Sequence, residues 1–85
     1  MVLDNYMGNV ANRIVMNRNV LGGKPIIRGT RISVEFILEL LASGMSVSDI
    51  IKEYPHLRKE DILAAVAYAV KSLKHEDIVI PIIKE

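Results

Sequence analysis

The period of the apolar positions changes near Ser33. Before it come two short β-branched runs, Arg13 to Met16 (RIVM) and Ile26-Ile27, with the turn-forming residues Gly22-Gly23 and Lys24-Pro25 between them. Such runs favour strands, and Gly and Pro favour the bend that joins them, so residues 13–28 are expected to form a small hairpin. A lone hairpin is marginal in water and must pair with another strand or pack on helices. From Ser33 the spacing is helical. Val34, Ile37, Leu38 and Leu41 recur on one face, Ser33 is an N-cap, Glu35 suits the positive end of the dipole, and Gly44 supplies a left-handed stop. Ser46-Val-Ser-Asp49 is a capping signal for a second, short helix through Ile50, Ile51 and Tyr54, closed by Pro55. A third helix is expected over Lys59 to Lys74, with Glu60 and Asp61 in its first turn and Lys71 and Lys74 in its last. Residues 1–11 show no period and are expected to be loosely ordered.

The expected fold is mainly α: an N-terminal β-hairpin and basic turn (12–32), a three-helix bundle of helix-turn-helix type (33–74) and an extended C-terminal tail (75–85), all in one domain. In a DNA-reading helix-turn-helix the second element carries polar side chains to base edges. Here Ile62 to Val70 (ILAAVAYAV) is apolar all round apart from the Tyr68 hydroxyl. It reads as a core helix buried on more than one side. Nucleic-acid contacts should then come from the basic N-terminal half or from helix ends. A helix this apolar in a chain this short also predicts a homodimer. In the tail, Ile78 to Ile83 (IVIPII) is β-branched at almost every position, and Pro81 cannot donate to a ladder, so an edge strand or groove-lying peptide is expected. Ile78, Val79, Ile80, Ile82 and Ile83 need cover. It comes either from the chain's own dimer, by strand exchange with the hairpin, or from a groove on a partner protein.

Composition narrows the chemistry. The 85 residues include no Cys, which removes disulfides and thiolate metal sites and fits a reducing cytoplasm. The longest apolar run, nine residues, is too short for a bilayer, and the first twenty residues lack the order of a signal peptide. The expected location is cytoplasmic. A net charge of +1 hides an asymmetry: residues 1–31 hold five basic groups against one acidic, and residues 32–85 hold six against nine. A basic end can offer a positive face to nucleic acid without an extreme overall charge. The stretch GGKPIIRGTRIS, residues 22–33, has three glycines, three cationic side chains and no carboxylate. It lacks the Lys-[Ser/Thr] end of a phosphate-binding P-loop, and its glycines fit turns into the first helix. Arg18, Lys24, Arg28, Thr30 and Arg31 are the candidate nucleic-acid contacts. His56 and His75 stand apart, and Glu60-Asp61 and Glu76-Asp77 diverge as adjacent residues do, so no metal site, cofactor, small-molecule substrate or catalytic pair is expected.

The run GGKPIIRGTRISVEFILELLASGMSVSDIIKEYP, continued by LRKEDILAAVAYA, resembles the bacterial and archaeal domain-of-unknown-function family 433, over about Arg13 to Val70. The resemblance implies a helix-turn-helix protein with an N-terminal hairpin. Some members are antitoxins of the VapB type beside a PIN-like ribonuclease toxin, which implies a dimeric antitoxin that blocks its toxin and can repress its own operon. The alternatives are a stand-alone DNA-binding regulator and a dimeric interaction module without a toxin. The chain departs from the family pattern at Asn17-Arg18, where Asp-Pro is common, at Ser33 (Pro) and at Arg58 (Ser or Thr). Arg18 adds charge to the basic end, and Arg58 removes an N-cap side chain.

Overall fold

A computed structural model describes residues 10, 12–75 and 80–83. Strands β1 (Ile14–Asn17) and β2 (Pro25–Ile27) form the antiparallel hairpin, with Ile14 opposite Ile27 and Val15 opposite Ile26. Alternation along each strand sends the first pair to one face and the second to the other. Ile14 and Ile27 therefore enter the main core, while Val15 and Ile26 join Val20 in a smaller cluster on the opposite face. Arg13 is the last helical residue before β1 and not part of the strand. Val10, also helical, is buried in the main core, so the order expected to begin at the hairpin begins earlier.

A tight return over residues 28–32 carries the chain from β2 into the helices. The Ile27 amide donates to the Ile32 carbonyl at 2.9 Å, and Gly29 adopts φ +78°, which a side chain would strain. Helix α1 (Val34–Ala42) starts at Ser33, whose Oγ accepts from the Phe36 amide at 2.9 Å. Gly44, at φ +101°, ends it. Helix α2 (Val47–Glu53) opens with the reciprocal pair expected from sequence: the Asp49 amide donates to Ser46 Oγ and the Ser46 amide to the Asp49 carboxylate, both at 3.0 Å. Helix α3 (Lys59–Leu73) follows a short link. Val34, Ile37, Ile50, Leu57, Ile62, Ala64, Ala65 and Ala67 fill the space between helices and sheet. Phe36 of α1 meets Tyr54, at the end of α2, edge to face with centroids 5.6 Å apart.

The sheet has a third strand, β3 (Ile82–Ile83), which runs parallel to β1 and gives the order β2-β1-β3. The tail is thus an edge strand, as Pro81 requires. It lies on the chain's own hairpin, and the Met16 amide donates to the Pro81 carbonyl at 3.0 Å. Among the described residues, α1 to α3 and a small mixed sheet make a mostly helical domain. No helix among the described residues is long and apolar enough to cross a membrane.

Candidate nucleic-acid interface

The hairpin register determines which cations meet. Because Ile14 faces Ile27, the flanking residues Arg13 and Arg28 share the next rung, and the Arg28 amide donates to the Arg13 carbonyl at 2.8 Å. Arg28 is exposed and spends its Nε on the Asn12 carbonyl at 2.9 Å. That anchors the base of its guanidinium, and Nε is one of the five donors an arginine carries.

The start of α3 completes the cluster. Asp61, in its first turn, is almost fully buried, and both carboxylate oxygens are engaged. One accepts from Arg13 Nη1 at 2.9 Å, and the other from the Arg58 amide at 2.8 Å. This carboxylate accepts from the amide of the N-cap residue, the return half of a capping box, and it ties the helix start to the segment before β1. Asn12, Arg13, Arg28, His56, Arg58 and Asp61 line a polar hollow of about 410 Å³. Three arginines line the hollow with one carboxylate, both of whose oxygens are already engaged, a formal balance of three positive charges to one negative. Such a cluster of arginines suits a phosphate.

The profile of the family described as "Protein of unknown function (DUF433)" matches residues 14–69. The chain belongs to the DUF433 family. The match covers the hairpin, the basic return and the helices to Ala69, hence most of the arginine hollow. An uncharacterized protein, y4eO, of Sinorhizobium fredii (strain NBRC 101917 / NGR234) is 36% identical over 56 residues, which are 66% of this chain and 25% of that protein. The chain therefore spans about a quarter of the length of this relative. No solved structure matches.

Within this DUF433 domain the five candidate contacts separate. Arg28 belongs to the hollow, and with Arg31 it also borders a second one, of about 540 Å³, beside Gly29, Thr30 and the sheet residues Val15 and Ile83. Arg18 is exposed in the turn after β1. Thr30 is held within the return: its hydroxyl donates to the Ile27 carbonyl at 2.8 Å and accepts from the Ile32 amide at 3.0 Å. Lys24 forms an exposed ion pair with Glu35 at 2.9 Å, although no carboxylate lies near it in sequence. The hydrogen bond that Lys24 donates to Glu35, then the Glu35 charge, raises the Lys24 pKa above its ordinary value. Arg13, His56 and Arg58 join the site without a signal in the sequence pattern. The hairpin register places Arg13 beside Arg28, but only the tertiary packing of α3 on β1 brings Arg58 to them.

Of the tail candidates, Ile78 and Val79 lie outside the described residues. Ile80 packs on the main core and Ile83 on the smaller cluster. Ile82 is 60% exposed.

Proposed function

We propose that this DUF433 chain is a binding protein of antitoxin type, with no catalytic role, that contacts nucleic acid through the Arg13–Arg28–Arg58 hollow and holds a PIN-like ribonuclease inactive. The observation that carries the nucleic-acid half is the hollow itself: three arginines from three separate segments converge, and the one carboxylate among them is saturated. The ribonuclease half follows from the family resemblance. It is supported by β3, which among the described residues has one strand neighbour and exposes Ile82, an edge on which a partner can add a strand. The second reading, a stand-alone DNA-binding regulator, is favoured by Ile80 and Ile83, which are spent on the chain's own core.

The test is titration of the chain against DNA from upstream of its own coding sequence, at several salt concentrations. Removing one phosphate-binding side chain lowers the salt slope by about one. Arg28→Ala together with Arg58→Ala is expected to weaken binding by about tenfold or more and to flatten the slope by about two. Lys24→Ala, whose charge is already paired, should change both far less. Equal effects at Lys24 and at the arginine pair would move the interface elsewhere. Inhibition of the neighbouring ribonuclease by the same double variant separates the two readings: the antitoxin reading requires that inhibition persist when DNA binding is abolished.

A further inference from the structure

The outward face of α3 is apolar where a solvated helix would be charged. Leu63 is 45% exposed, Val66 38% and Leu73 81%, and Val70 between them is partly exposed. Their spacing, 63-66-70-73, is the alternating three-and-four step of a pairing seam, and no charged residue interrupts it. Ile62, Ala64, Ala65 and Ala67 face the core, and Lys71 is buried. Charge returns only at the ends, with Lys59 and Glu60 exposed at the start and Lys74 exposed just after the last turn.

We infer that this seam pairs with the same seam of a second copy, the two α3 helices running antiparallel about a twofold axis near Tyr68. Self-complementarity selects the occupant and the direction. Antiparallel packing sets Leu63 against Leu73 and Val66 against Val70, a large pair at each end and a smaller pair on each side of the centre. The same register brings Glu60 of each copy within about 3 Å, along the axis, of the level of Lys74 of the other, both on the flank that borders Leu63 and Val70, so two ion pairs close the ends. A parallel arrangement would instead carry the Glu60–Lys74 flanks of the two copies to opposite sides of the seam and close neither pair. The seam is short, but an isologous contact uses every residue twice.

Sedimentation of the full chain at micromolar concentration is expected to give a dimer. Leu73→Glu, at a position 81% exposed, is expected to leave the fold intact by circular dichroism and to give a monomer. Direction is read from a charge exchange. Glu60→Lys alone and Lys74→Glu alone should each raise the dimer dissociation constant several-fold, and the double exchange should restore it. A monomeric unsubstituted chain, a dimer unmoved by Leu73→Glu, or a double exchange no better than either single change would each overturn the assignment.

Discussion

Asp61 shows how much one side chain can hold. It is 6% exposed, and it joins Arg13 of the segment before β1 to the first turn of α3 through two oxygens. Removing one member of such a pair leaves the other uncompensated, which costs more than the pair contributes. Asp61→Ala is expected to destabilise the fold by about 3 kcal/mol, measured as a lower urea midpoint at unchanged slope. A change below about 0.5 kcal/mol would show that water replaces the carboxylate freely. The same substitution frees Arg13, so any DNA binding measured on the folded fraction should rise. Lys24 is the contrasting case. Its ion pair with Glu35 is exposed on both sides, where salt and water screen it, and its removal should leave stability almost unchanged.

At the scale of elements, the caps are where sequence spoke most plainly. Ser33 and the Ser46–Asp49 pair stand where their hydroxyl and carboxylate spacing places them, and α1, α2 and α3 end within a residue or so of the expected positions. Capping is local, so a window of four residues holds all the information it needs. The Asp49 pKa is lowered, first by the hydrogen bond from the Ser46 amide and then by the Ser46 side chain. A lowered carboxyl pKa stabilises the fold above the unfolded value, near 4, and the contribution disappears as pH falls through the folded value. Asp49→Asn should therefore remove that part of acid unfolding below about pH 4 while leaving the remaining acid limb in place, as followed by circular dichroism. If the acid limb of the variant overlays that of the parent, the cap contributes nothing to it. The arginine hollow and the place of β3 were not legible in this way. Arg13, Arg28 and Arg58 are far apart in sequence, and their meeting depends on α3 packing against β1. The apolar tail announced that it needed cover, but its own composition is equally suited to a strand from any chain, and only the parallel register on β1 decides the matter for Ile82 and Ile83.

For the molecule as a whole, the two proposals combine into a distance. Arg58 lies ten positions before the axis near Tyr68, and at about 1.5 Å per residue the arginine hollows of an antiparallel pair stand about 30 Å apart along the helices. One turn of B-form DNA is about 34 Å. Synthetic duplexes with two half-sites centred about 10 base pairs apart are expected to bind more tightly than duplexes spaced by about 15. Equal affinity for both spacings would dissociate dimer geometry from DNA contact. The strand order has a consequence of another kind, in the timing of synthesis. β1 is the central strand of the sheet, yet its second neighbour is made only after every helix of the domain has been translated. Until β3 has been made, β1 has an open edge and the Met16 amide has no Pro81 carbonyl to bind. Bringing such distant segments together also carries the loop-closure cost of nearly the whole domain. The sheet is therefore completed as a last stitch, and until then the open edge of β1 is the part of the newborn chain most available to another strand.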